Sequence, residues 1–487
     1  MGMQLSLETS SRLYSKISEE LNRRGQTLSS VAYKIPVNLR VLEESINRMS
    51  KPAPLTLLDS IARILGQPEG WLYPEYMNDF LCNGKMQWRR IKPFLLRCMD
   101  INRTDLVHRV MNRLMDEPQH LPAVFKLAEE LFGSGRKTEA VPLYRYVIET
   151  EIKQHSERFA VSHYRWFRAE ISQGFDLDRY REAAIRFAPH RSRLPEHVQL
   201  DALLHLANTY FIIQRWDKVN EMAEEMLSLT LLCVHLESER KERGAREERL
   251  FPAERPLVVY YGQSYLLRGN ALEKQGRYEE AFAYLGQYRD LSWFDDLDET
   301  GRAEVQRLAV FAEANRLNLH ILLGRFEYLL DYVEFLNGHA DEKIPGLLTI
   351  IEAAIRYGEN VDDVFPFFKE DVLALMEDSP DKESRGYYSL SFRLNRRIQL
   401  LYGLSVYHFQ QGLIAEGVDY LLWALRQALA SHNEHLAMAC AAWFEKYRSM
   451  AHDVQKEEFE SIMKGVIPDA KMDFRISSGT GSSKRSR

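Results

Sequence analysis

One pattern recurs along most of this 487-residue chain. In Tyr265–Leu291 a helical stretch with a small residue inside it, Gly269, breaks at Gly276. A basic–aromatic–acidic start (Arg277, Tyr278, Glu279) then opens a second stretch carrying Ala281 and Leu285. The same grammar fills Leu203–Leu229, with Ala207, Arg215-Trp216-Asp217 and Val219, and Leu308–Leu336, with Gly324-Arg325-Phe326-Glu327 and Leu329. Val124–Ile148 supplies Ala128, Gly135-Arg136-Lys137 and Ala140. A degenerate copy ends at Ala183, and another spans Leu401–Ala428 with its break at Gly412. Small residues let two antiparallel helices approach closely, and glycine closes the first helix in a left-handed conformation. A lone helix pair cannot bury its apolar face, so neighbours must stack. Such a chain is mostly one quasi-linear array rather than several independent folds.

The rest of the sequence agrees. Apolar residues recur at i, i+3, i+4 and i+7 almost everywhere, whereas alternating strand patterns are hard to find. Prolines fall mostly between the helical stretches. The expected fold class is all-α. A hydrophobic share of 45% with 28% charged residues excludes a wholly disordered or fibrous chain. Four scattered cysteines (Cys82, Cys98, Cys233, Cys440) contain no C-x-x-C pair, so a disulfide framework or structural zinc site is not expected. No apolar run approaches bilayer length, and no secretory leader pattern opens the chain. The expectation is a cytoplasmic protein without a membrane partner.

Texture divides the chain into four zones. Residues 1–77 form short helices with tight breaks. Residues 78–120 read as a helical connector, and residues 121–460 carry the repeats. Residues 461–487 end in a Ser/Gly-rich basic tail from Ser477, which has nothing apolar to bury. A charged insertion at Glu237–Arg255 reads as a helix extension plus a loop.

The repeats resemble the tetratricopeptide (TPR) motif, most specifically in the Leu203, Tyr265 and Leu308 copies. That resemblance implies a right-handed α-solenoid whose first helices line a concave groove. Asn208, Asn270 and Asn318 then occupy one structural position in three copies. An asparagine amide offers a donor and an acceptor together, which suits an extended peptide backbone. Arg165, Arg168, Arg316, Asn395 and Arg396 are further candidates, able to meet a carboxylate. For each arginine taken singly, a salt-bridged helix face is the plainer reading.

Residues 13–73 resemble a helix-turn-helix domain of the Cro/CI type. The first helix is expected from about Ser6 to Arg24, the second capped by Thr27, the third from Leu39 to Met49 capped by Asn38, and the fourth around Leu57–Leu65. Trp71-Leu72-Tyr73 matches the usual close of such a domain. In that family the third helix enters the major groove. Asn38, Arg40, Glu43 and Asn47 would face base edges, and Ser29, Ser30, Lys34, Arg48 and Lys51 would reach phosphates. Leu28, Pro36 and the pair Glu43-Glu44 depart from the family pattern. Residues 1–75 balance nine basic against eight acidic side chains, so phosphate attraction needs clustering. The alternative is a silent four-helix cap.

No P-loop, dinucleotide fingerprint, H-E-x-x-H or G-x-S-x-G occurs. His432 and His435 sit three apart but lack further placed ligands. Neither catalysis, nor a metal, nor a cofactor is expected. A Cro/CI-like head joined to TPR repeats is similar to the RRNPP family of peptide-pheromone receptors, which includes the phage arbitrium receptors. The connector segment Arg90–Cys98 looks like that branch. The resemblance implies a homodimeric transcription regulator, paired near Gly403–Tyr447, that binds double-stranded operator DNA under control of a short signalling peptide. The rival is a TPR scaffold or anti-activator working by protein contact with a vestigial head.

Overall fold

The computed structural model describes residues 11–35, 37–47, 53–81, 85–151, 156–243, 252–294, 297–376 and 390–466. Their regular structure is all helical, with no strand among them. None of the described helices is long and apolar enough to cross a membrane. The expected basic tail from Ser477 lies outside the described residues.

Packing separates two compact units. The first comprises residues 1–173 and 185–195, and the second residues 174–184 and 196–487.

The first unit begins with α1 (Arg12–Arg23), α2 (Leu28–Lys34), α3 (Leu39–Asn47) and α4 (Leu55–Ile64). Short polar side chains start the first three of these helices by accepting bonds from otherwise unpaired backbone donors. Ser11 Oγ accepts from the Tyr14 N–H at 3.0 Å, Thr27 Oγ1 from Ser30 at 3.3 Å and Asn38 Oδ1 from Arg40 at 2.9 Å. The start expected at Ser6 lies outside the described residues, as does Pro36. Next come α5 (Tyr73–Tyr76), which runs into a π-helical turn at Met77–Leu81, α6 (Trp88–Asp100) and α7 (Thr104–Leu114). The unit continues with α8 (Leu121–Gly133), α9 (Lys137–Thr150) and α10 (Glu157–Glu170).

A single hydrophobic core joins Leu13, Ile17, Leu42 and Leu58 to Phe94, Leu95 and Val110, and onward to Leu143 and Val147. The boundaries drawn from texture at residues 77 and 120 coincide with no break in it. The Tyr73 and Phe94 rings, 5.4 Å apart, bind the end of the head to α6. The Asp79 carboxylate accepts from the Leu13 N–H at 2.9 Å, so the turn after α5 also steadies the start of α1.

Helix α11 (Leu177–Phe187) runs through the division between the units. The second unit continues with α12 (Glu196–Ile212), α13 (Trp216–Glu242), α14 (Leu257–Lys274), α15 (Tyr278–Arg289), α16 (Glu299–Leu322) and α17 (Leu329–Gly338). It is completed by α18 (Lys343–Tyr357), α19 (Lys369–Leu375), α20 (Leu390–Gln410), α21 (Ile414–Ala430), α22 (Glu434–Tyr447) and α23 (Asp453–Lys464). Neighbours pack in sequence, α12 on α13, α13 on α14, α14 on α15 and α15 on α16. A second relationship skips one helix at a time: α12 packs on α14, α14 on α16, α16 on α18, and α18 on α20. These helices therefore form a continuous row.

The turns inside the pairs share one geometry. The residue after each break donates its N–H to a carbonyl five residues back: Arg136 to Leu131, Arg215 to Tyr210, Arg277 to Leu272, Arg325 to His320 and Leu413 to His408, all at 2.8–3.0 Å. This closure requires a left-handed residue just before the donor. Gly135, Gly276, Gly324 and Gly412 supply it, as expected, and Gln214 takes the same conformation at φ +58°. The charged insertion resolves in part as α13 reaching Glu242. Beyond it, the buried Asp201 carboxylate accepts from the Glu254 N–H, the Arg255 guanidinium and the Tyr260 hydroxyl at 2.6–2.9 Å, pinning the chain that re-enters α14.

Candidate functional site

Two surfaces carry the residues singled out by sequence. On α2, Val31 and Ala32 turn into the core while Ser29, Tyr33 and Lys34 are exposed and Ser30 is half-buried. On α3, Leu42 and Ile46 are buried, while Arg40, Val41 and Glu43 are exposed, as is Asn38 at its start. The pattern follows from helical spacing, with one apolar stripe inward and the rest in water. Helices α2 and α3 pack on each other, so their outward residues neighbour one another. Asn38 holds the first turn of α3, and the Ser30 hydroxyl donates to the Thr27 carbonyl at 2.7 Å, so both also have local structural roles. Arg40 pairs with Glu44 at 3.3 Å, which offsets part of its charge. Lys34 has no acidic partner among the described residues. Arg48 and Lys51 lie outside the described residues, as does the side chain of Asn47.

Sequence reasoning passed over two members of this surface. Tyr33 is 93% exposed and Val41 52% exposed. Both look like core residues by type, and only the register of the helices puts them outward.

The second surface lies on the row of helices in the second unit. Asn208 is on α12, Asn270 on α14, Asn318 on α16 and Asn395 on α20. The row thus brings together helices that sequence assigned to one groove, but their asparagines differ. Asn208 is exposed and makes no side-chain hydrogen bond among the described residues. Asn270 is half-buried, and its oxygen accepts from Asn315 Nδ2 at 3.2 Å, leaving its own amide donors without a partner there. Asn318 is buried: its oxygen accepts from the Tyr332 hydroxyl, and its nitrogen reaches Asn315 at 3.5 Å. Asn395 is buried as well.

Asn315, absent from the sequence prediction, is the hub. It donates to Asn270 and to the Tyr288 hydroxyl at 2.9 Å, linking three of the helices in one polar chain. It lies one turn from Asn318, off the position that repeats between copies. Burial and the nearby Glu342 and Glu273 carboxylates raise the Tyr332 pKa, so its hydroxyl stays a donor. Neutral polar chains of this kind are stable in a core only when each member finds a partner.

The candidate arginines are all engaged. Arg316 forms a two-point pair with Glu313 at 2.6–3.0 Å, which lowers the Glu313 pKa. Arg396 lies over the Phe392 ring at 5.0 Å. In the first unit, Arg165 pairs with Glu129 at 3.3 Å and covers Phe132, while Arg168 donates to the Tyr164 hydroxyl at 3.0 Å.

Other polar groups have quieter places. His432 sits in a left-handed turn and pairs with Asp176 at 3.1 Å, while His435 is exposed. No group of three or more His, Cys, Asp or Glu side chains is disposed to hold a metal among the described residues. Burial pushes the thiols of Cys98 and Cys440 up to about 12 and that of Cys233 up to about 11, which keeps them protonated and unreactive. Cys82 lies outside the described residues. No protein-family model matches the chain, and no curated protein matches it.

Proposed function

We propose that the protein is a peptide-responsive transcription regulator. Helices α1–α4 act as a Cro/CI-like helix-turn-helix that binds a double-stranded operator. The row of helices in the second unit acts as a TPR-like right-handed α-solenoid that holds a short signalling peptide. The working form is a cytoplasmic homodimer similar to RRNPP receptors. The observation that carries the reading is the outward face of the capped pair α2–α3, where Ser29, Lys34, Asn38 and Arg40 stand in water above a buried apolar stripe. Within the solenoid, the open donors are those of Asn208 and Asn270, while Asn318 braces the helix that carries it.

The mechanism is a population shift. A peptide that spans several helices of the row favours one curvature of it, and the spacing of the two heads in the dimer follows. A peptide with equal affinity for both curvatures has no effect. The head shares its core with α6–α9, so in this reading it moves with them as one body.

The rival, a scaffold with a vestigial head, draws support from the Arg40–Glu44 pair and the exposed Glu43, which weaken phosphate attraction. A mobility-shift assay on the gene's own upstream region separates the two. It is run with and without synthetic peptides from a neighbouring small reading frame. The regulator reading expects a sequence-specific complex whose affinity changes with peptide; no such complex in either condition sinks it and leaves the scaffold.

A further inference from the structure

In the first unit, α10 and the segment 185–195 meet around a group of rings and cations. His163 stacks on His190 with ring centres 4.0 Å apart, and Phe159 closes edge-on against both. The Arg186 guanidinium lies 3.9 Å from the Trp166 ring centre, and Arg145 faces the same ring at 5.5 Å.

Arg186 and His163 each place a polar atom here that lacks what burial demands. Among the described residues Arg186 has no carboxylate partner, and its Nη1 is buried with no hydrogen-bond acceptor. The Nδ1 of His163, a residue 92% buried, also has no partner among the described residues. A buried guanidinium donor without an acceptor is costly, because guanidinium is never neutral and loses the full desolvation penalty. Elsewhere in this unit the buried carboxylates Glu151 and Asp59 are each met by an arginine, Arg158 and Arg97. Burial, then His190 and the Arg186 charge, hold the His163 pKa down, so the ring is neutral and, in the tautomer protonated at Nδ1, is a second donor. The Glu170 carboxylate accepts from Trp166 Nε1 at 2.9 Å and makes no ion pair with Arg186.

We propose that Arg186 and His163 form a binding site for a carboxylate. One carboxylate oxygen accepts from Arg186 Nη1 and the other from His163 Nδ1–H, while Trp166 and Phe159 wall the site. A singly charged, two-oxygen anion fits a single guanidinium and one neutral donor better than a dianionic phosphate does. The site does not depend on the regulator reading: the carboxylate is that of a free small acid or the terminus of a short peptide.

The test uses the full-length protein in a chloride-free buffer of fixed ionic strength. Acetate is titrated while thermal stability and tryptophan fluorescence are followed, with Trp166→Phe identifying the reporting ring. Saturable stabilisation by a few degrees is expected, since a ligand that binds only the folded state raises its melting point. Arg186→Gln and His163→Phe should each lower acetate affinity at least about tenfold, one lost charge-assisted bond being worth that much. Should Arg186→Gln fold poorly, His163→Phe and the wild-type titration still decide the matter. A short peptide with a free carboxyl terminus that competes with acetate, while its amide does not, assigns the peptide source. Acetate binding with no competition by either assigns the free acid. Chloride or phosphate acting as well as acetate overturns the carboxylate site. So does the absence of any saturable anion effect, which would leave ordered water as the partner of both atoms.

Discussion

The Arg97 guanidinium donates to the buried Asp59 carboxylate at 3.0 Å, tying α4 of the head to α6 beyond it. The same carboxylate accepts from the Tyr73 hydroxyl at 3.0 Å, and Arg97 also reaches Glu69 at 2.7 Å. Removing the guanidinium therefore strands a charge. Arg97→Met should destabilise the first unit by about 2–3 kcal/mol, less than a fully buried pair because Arg97 is partly in water. Pairing it with Asp59→Asn should recover part of the loss. Urea denaturation of the single and double variants measures both, and a cost below about 0.5 kcal/mol for the single variant would place Asp59 in contact with water instead.

The polar chain in the second unit makes opposite predictions for asparagines that sequence treated as equals. Asn318→Ala removes the acceptor of the buried Tyr332 hydroxyl and should destabilise by about 1–3 kcal/mol. Asn208→Ala, at an exposed position, should change stability by less than about 0.5 kcal/mol. Under the proposed function its effect appears in peptide affinity. Equal stability changes at the two positions would contradict the distinction.

Left-handed turns give a test of backbone origin. A Cβ at Gly276 would meet nothing within 4 Å, so the cost of Gly276→Ala is conformational alone. It should destabilise by about 1 kcal/mol. Gln214, held at φ +58° in the equivalent turn, should respond the other way, with Gln214→Gly gaining up to about 1 kcal/mol. Thermal unfolding of the two variants checks the opposite signs.

Acid sensitivity follows from His163. Burial, then His190 and Arg186, lower its pKa from the ordinary 6.5 to about 3. The unfolded chain therefore binds a proton below pH 6.5 that the folded chain refuses until about pH 3. Folding stability is lost as pH falls through that window, by up to about 1.4 kcal/mol per pH unit from this group. His163→Phe should flatten the stability–pH curve between those limits, measured in a carboxylate-free buffer. An unchanged slope would mean that the ring is protonated in the folded state.

How much of this was readable in advance depended on whether the signal was local. The helices, the caps Thr27 and Asn38, and the glycine closures at Gly135, Gly276, Gly324 and Gly412 follow from side-chain chemistry within a few residues, and they were legible. Gln214 in a left-handed turn was foreseeable only by position, since its residue type argues against it. Close approach was legible only in part: Gly269 does face α15, where an added Cβ would make ordinary contact with Tyr284 at 3.4 Å. A tighter contact is at Gly262, where a Cβ would come within 2.4 Å of Leu308 on α16. That contact runs between helix pairs, and repeat alignment describes the interior of a pair. Asn315 was missed for the same reason. The unpartnered Nη1 of Arg186 was invisible because a missing acceptor shows only once the neighbours are placed.

The central claim, that the head reads DNA, is tested most directly by fluorescence anisotropy of the full-length protein on its own upstream duplex across a salt series. The account predicts binding about a thousandfold tighter than to a scrambled duplex. It also predicts loss of that preference in Arg40→Ala, and a salt slope shallower by about one in Lys34→Ala. Equal affinity for the two duplexes, unaffected by Arg40→Ala, would contradict it.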